Sequence, residues 1–139
     1  MRLVVDVNII IAALIRDSIT RKLLFLSRFN FIIPDMYLEE ILKYKRYIKE
    51  KSDLKDESFD ELLSLIMKYV VVVPYSKYSK SMKEALGIMA KIDEKDAPFV
   101  ALALASRADG IWSEDKDFKR QSRVEVLNTS EVLNLMRKF

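Results

Sequence analysis

The strongest constraint on the fold is an alternation. Arg2–Val5, residues 31–33, Val70–Val73, Gly110–Trp112 and residues 124–127 are short, apolar and rich in β-branched or aromatic side chains, as buried strands are. Between and after them, residues 9–15, 20–28, 36–51, 56–69, 79–91, 95–106 and 131–137 carry apolar side chains at helical spacing. Strands that alternate with helices in this way build an α/β sandwich around a mostly parallel sheet. Pro34 and Pro74 stop the second and third strands. Asp35 is placed to cap the helix over residues 36–51, and Ser130 to cap the last one. The expected inner faces are Leu23, Leu24, Leu26 and Ser27, then Leu38, Ile41, Leu42, Tyr44 and Tyr47, then Phe59, Leu62, Leu63, Ile66 and Met67, then Met82, Ala85, Leu86 and Met89. Residues 95–106 are apolar nearly throughout, which predicts a helix buried on most sides.

With 139 residues and no linker, repeat or low-complexity segment, the chain reads as a single domain over residues 1–139. Half of it is hydrophobic and about a third charged, the balance of a globular protein. The apolar run over residues 9–15 is too short to span a bilayer. Asp6 and Asn8 interrupt it, and no small-residue cleavage site follows, so it is not a signal peptide; no membrane association is expected, and the cytoplasm is the expected location.

The chain contains neither His nor Cys. This excludes a disulfide framework, a histidine general base, a thiol nucleophile and the usual ligands of zinc. Chemistry is left to oxygen. Asp6, set inside the apolar run 3–15, is costly to bury unless a cation or hydrogen-bond donors meet it. Three further acidic stretches stand with it: Glu39-Glu40, Asp93-Glu94-Lys95-Asp96, and Ser113-Glu114-Asp115-Lys116-Asp117. Each has an ordinary alternative. Asp6 or Asn8 can cap a following helix, Glu39 and Glu40 can form a solvated first turn, Asp96 can cap a helix that has Pro98 in its first turn, and Ser113 to Asp117 can be an exposed loop. Asp6 and Ser113, however, both follow strands, and ligands of parallel sheets gather at the carboxyl ends of strands. Carboxylates brought together there stay ionised only with a cation among them, which points to Mg2+ or Mn2+.

In this order the residues resemble the PIN-domain family of metal-dependent ribonucleases, which includes VapC-type toxins. Val4-Val5-Asp6-Val7-Asn8 resembles the family's opening strand and first catalytic Asp. Glu40, within Leu38-Glu39-Glu40-Ile41-Leu42, matches the helix glutamate, in the register that turns Leu38 and Ile41 to the core. Asp96 matches the acid that opens an apolar helix. Trp112-Ser113-Glu114-Asp115-Lys116-Asp117-Phe118 is similar to the Thr/Ser-x-Asp-x-Asp-Phe signature. The resemblance implies a three-layer α/β/α sandwich and endonucleolytic RNA cleavage. It implies Asp6, Glu40, Asp96 and Asp115 as catalytic metal ligands, Asp117 as a helper, and Asn8 and Ser113 as supports. It also implies a homodimer and an antitoxin that inserts a segment into the acidic cleft.

The net charge is only +3, yet the basic residues cluster at Lys43, Lys45, Arg46, Lys49 and Lys51 and at Lys116, Lys119, Arg120 and Arg123. Lys43, Lys95 and Lys116 are candidates to grip an RNA backbone; a solvated helix face is the alternative for residues 43–51. Trp112 and the other aromatics are read as core or dimer contacts rather than base-stacking platforms. Two rival functions remain: a catalytically silent PIN-like module that binds RNA or protein, and a receiver-like phosphoacceptor. The latter needs an acidic pair beside the first strand and a Lys after a late one, where this chain has Asn8 and Asn128-Thr129-Ser130.

Overall fold

A computed structural model describes residues 1–26, 28–52 and 54–138. Five parallel strands form one sheet: β1 (Arg2–Val5), β2 (Asn30–Pro34), β3 (Val70–Val73), β4 (Gly110–Trp112) and β5 (Val126–Leu127), in the order β3-β2-β1-β4-β5. The sheet is thus wholly rather than mostly parallel. Leu3 lies beside Phe31 on one side, and Val5 beside Trp112 on the other. Leu3, Val4 and Val5 are completely buried, because β1 is central and both faces of the sheet are covered.

The chain runs outward from β1 through β2 to β3, then returns past β1 to β4 and β5. Right-handed crossovers in opposite directions put their helices on opposite faces. One layer holds α1 (Val7–Ile15), α2 (Ile19–Leu26), α3 (Leu38–Lys43), α4 (Lys45–Ser52) and α5 (Asp56–Ile66); α6 (Met82–Met89) and α7 (Ala97–Ser106) form the other. The architecture is a three-layer α/β/α sandwich. In α7, Ala97, Phe99, Val100, Ala101, Leu102 and Ala103 are all buried, and its alanines let the helix lie close over β1, β2 and β4. The final helix is α8 (Thr129–Lys138). No helix among the described residues is long and apolar enough to cross a membrane.

Several local expectations are corrected. Residues 36–51 do not form one helix: a 3-10 turn over Asp35–Tyr37 leads into α3, and the chain breaks at Tyr44 before α4. Leu42 faces outward on α3 next to the buried Ile41, and the break rotates the pattern beyond it, so Tyr44 and Tyr47 are exposed and Ile48 fills the core instead. Leu26 and Leu86 also face outward, and Ser27 lies outside the described residues. Asp35 caps nothing. Its carboxylate accepts from the Tyr75 backbone N–H (3.0 Å) and the Tyr78 hydroxyl (2.8 Å), tying the end of β2 to the chain beyond β3. Ser130 is likewise displaced as a cap. Asn128 Oδ1 accepts from Glu131 N and Glu131 Oε1 accepts from Asn128 N, a reciprocal capping box. The last strand is two residues shorter than the apolar run 124–127. Trp112 is core, with its indole N–H on the Thr129 hydroxyl (3.1 Å).

Candidate active site

Strand β1 delivers Asp6 to the carboxyl end of the sheet, where its backbone N–H bonds the Trp112 carbonyl of β4 (3.0 Å). Register does the rest: with Val5 beside Trp112, Asp6 meets Ser113. Ser113 is fixed in turn by its own N–H on the Leu127 carbonyl (3.0 Å). Its hydroxyl donates to Asp6 Oδ2 at 2.7 Å, while the Asn8 backbone N–H reaches Oδ1 at 3.3 Å. The expected helix-capping role of Asp6 and its site placement therefore coexist. Asp6 is 3% exposed, and with Ser113 makes up the buried polar set among the described residues.

The same chain of bonds orders the acidic loop. Ser113 Oγ accepts from Asp115 N (2.9 Å), and Asp115 Oδ1 accepts from Asp117 N (2.9 Å), which starts the 3-10 turn Lys116–Arg120. Phe118 anchors that turn in the core against Phe99. Asp117 lies 3.8 Å from the Arg120 guanidinium, so part of its charge is met within the turn.

Asp96 arrives from the other layer. Asp93 caps the 3-10 turn Glu94–Asp96 by accepting from Lys95 N (3.0 Å). Asp96 occupies the cap position of α7 but makes no side-chain cap bond, so its carboxylate is left available. Pro98 sits in the first turn as expected. Tyr37 holds this corner: its hydroxyl donates to the Lys95 carbonyl, and its ring stacks on Phe99 with centroids 4.1 Å apart.

These carboxylates lie within one another's electrostatic reach. Burial, then the charges of Asp93, Asp6, Asp115 and Asp117, push the Asp96 carboxyl up to about 7. Burial also raises Asp6; the bonds from Ser113 and Asn8 oppose that, and the charge of Asp115 adds to it. Tyr37 is raised by burial and by Asp96, Glu40 and Asp6. Glu40 is half-buried and its charge reaches this corner; Glu39 is exposed. Among the described residues, no Lys or Arg forms an ion pair with Asp6, Glu40, Asp96 or Asp115. Nor are any three acidic side chains there gathered closely enough to hold a metal ion as they stand. Like charges without a counterion keep apart. A set of uncompensated, oxygen-only donors fits a hard divalent cation, which would supply the missing positive charge.

The supporting residues divide. Ser113 is built into the site. Asn8 contributes its backbone N–H, while its exposed side chain lines a shallow apolar groove of about 410 Å³ with Ile11, Ile15, Tyr44 and Tyr47. Lys43, Lys95 and Lys116 are exposed and lack ion pairs among the described residues. In the 43–51 stretch, by contrast, Lys45 pairs with Asp60, Arg46 with Glu50 and Lys49 with Asp56, as on a solvated helix face. Sequence reasoning missed Tyr37 and Asp93. Tyr37 precedes Glu40 by three residues, so its placement on one side of the turn was open to a spacing argument.

Comparison with known proteins agrees with this architecture. The chain is similar to one in the crystal structure of VapBC2 from Rickettsia felis bound to a DNA fragment from their promoter. The TM-score is 0.68 at 20% identity, covering 92% of this chain and 98% of that one. No match was found among curated proteins. The family model of the PIN domain matches residues 4–134, a span that includes Asp6, Glu40, Asp96, Asp115 and Asp117. The chain therefore belongs to the PIN-domain family.

Proposed function

We propose that this protein is an endoribonuclease that hydrolyses RNA phosphodiester bonds with Mg2+ or Mn2+, and that it serves as the toxin of a toxin–antitoxin pair. The observation that carries the reading is that Asp6, Asp96 and Asp115 act on one another's charge while, among the described residues, no Lys or Arg forms an ion pair with them. Asp6, Glu40, Asp96 and Asp115 would hold the metal, with Asp117 at the margin. When bound, such a cation supplies Lewis acidity toward water and toward a phosphodiester.

The chain's own residues perform the remaining tasks. Ser113 and the Asn8 N–H orient the Asp6 carboxylate from its buried side. The Asp117 N–H fixes Asp115, and Tyr37 fixes the backbone that presents Asp96. Lys43, Lys95 and Lys116 draw in the phosphate backbone. The toxin assignment is supported by the resemblance to VapC-type toxins and the similarity to VapBC2. It carries with it an antitoxin partner, a homodimer and a cytoplasmic location.

The test is Mn2+-dependent cleavage of RNA by wild type, Asp6→Asn and Asp96→Asn. The proposal expects both variants to be inactive, and equal cleavage by all three overturns it. The absence, among the described residues, of three acids close enough to hold a metal ion as they stand favours one other reading, a catalytically silent module that binds RNA or protein. Calorimetry separates them, since that module binds no Mn2+. A gene for a small, partly disordered protein beside this one supports the toxin assignment over a role in RNA processing.

A further inference from the structure

A groove of about 820 Å³ lies between α7 and the edge strand β3, and none of Asp6, Glu40, Asp96 and Asp115 lines it. Its walls are Val71 and Val73 of the strand and Leu102 and Ala105 of the helix. Arg2 and Lys68 stand near the end where the strands begin, Lys77 beyond the end where β3 stops, and among the described residues no acidic side chain lines the groove. Lys68 and Lys77 form no ion pair among the described residues.

Strand β3 pairs with β2 alone, so the outward N–H and C=O groups of its other edge lack strand partners. Proteins ordinarily guard such an edge with polar side chains. Here Val71 is 62% exposed, and Tyr69 and Tyr75, just outside the strand at either end, are also exposed. The lysines protect against only one partner, a second copy of the chain. Two-fold pairing of β3 with itself would set the Lys68 end of one copy against the Lys77 end of the other, and like charges facing across strands repel. The same lysines attract a strand of opposite charge.

We infer that β3 and its groove bind an extended segment of another protein, apolar at alternate positions and acidic at both ends, as an added sixth strand. Main-chain bonds to the β3 edge give affinity, the groove takes the apolar side chains, and Lys68 with Arg2 and Lys77 select the acidic termini. The surface is distinct from the acidic cleft and does not depend on nuclease activity.

The experiment uses the full chain without metal and fluorescein-labelled peptides of about eight residues, with Asp or Glu at the ends and Val, Ile and Thr alternating between. Fluorescence anisotropy is read against the same peptides ending in Lys. The acid-ended peptides are expected to bind in the micromolar range, and the Lys-ended ones at least about tenfold more weakly. Val71→Lys and the double variant Lys68→Glu, Lys77→Glu, each with an unchanged circular dichroism spectrum, are expected to lose about tenfold or more. Binding that ignores these substitutions, equal affinity for both peptide sets, no binding at ~1 mM, or displacement by a single-stranded RNA oligonucleotide overturns the inference. The last outcome would make the groove a nucleic-acid surface.

Discussion

The Ser113 hydroxyl donates to Asp6 Oδ2 at 2.7 Å across 107 residues of sequence, joining the ends of the two central strands through one buried bond. Burial disfavours the ionised form of Asp6, so the folded protein without metal carries a charge it would be more stable without. Asp6→Asn is therefore expected to raise the melting temperature in EDTA by a few degrees, about 1 kcal/mol, while abolishing Mn2+-dependent cleavage. Ser113→Ala is expected to act in the opposite direction, costing about 1.5–3 kcal/mol, because it removes a charge-assisted bond and leaves the carboxylate buried. Differential scanning calorimetry in EDTA checks both signs.

Among the described residues Tyr37 makes no hydrogen bond to an acid, yet it holds the backbone just before Asp96. Tyr37→Phe keeps the stack on Phe99 and loses only the bond to the Lys95 carbonyl. A stability loss of about 1 kcal/mol is expected. If Asp96 binds metal, the Mn2+ concentration for half-maximal cleavage should rise ~10-fold. An unchanged Mn2+ titration would show that this bond does not position Asp96.

Stability should fall in alkali. Burial raises both Tyr37 and Tyr78, and Tyr78 is raised further by its bond to Asp35. A folded-state pKa above the unfolded value, which for tyrosine is about 10, gives stability that is intact below that pH and lost as pH rises toward the folded pKa. Denaturant midpoints should be flat from neutrality to about pH 9 and drop above pH 10. The drop should be smaller in Tyr78→Phe, and tyrosinate absorbance should appear together with unfolding.

At the last helix, Asn128→Ala should cost about 1 kcal/mol, and Ser130→Ala should lie within about 0.5 kcal/mol of wild type. The asymmetry follows from the capping box between Asn128 and Glu131. The Lys119–Glu131 pair adds a pH dependence: it holds Glu131 below its ordinary pKa, a contribution present above that value and lost as pH falls. Urea melts of the two alanine variants at pH 7 and pH 4 distinguish these effects.

What was legible in the sequence was what depends on neighbours in the chain. The strand–helix alternation determined the layers because each β-branched run needs both faces covered, and each helix has one apolar side to cover them. The failures share a cause. Tyr44 and Tyr47 were placed inward by extending one helical period through Tyr44, where the structure starts a second helix out of phase, while Leu42 lies on the outer side of α3 next to the buried Ile41. Asp35 and Ser130 were assigned caps from local position, but Asp35 was claimed by Tyr75 and Tyr78, some forty residues on, and Ser130 was outcompeted by Asn128 two residues before it. The acids were visible as residue types, and the meeting of Asp6 with the Ser113 loop was legible because both follow strands of one parallel sheet. The exact pairing and the position of Asp96 were not, because they depend on the register of β1 against β4 and on the turn before α7.

The position of β1 has a consequence for synthesis on the ribosome. Its partner on one flank, β2, follows within thirty residues, but its partner on the other, β4, is made only after β3, α6 and α7. Until β4 is made, the nascent chain has an open seam through its middle, and Asp6 has neither Trp112 nor Ser113 to hold it. The surroundings of Asp6 are completed only when translation has passed the fourth strand, so a chain released early would lack them.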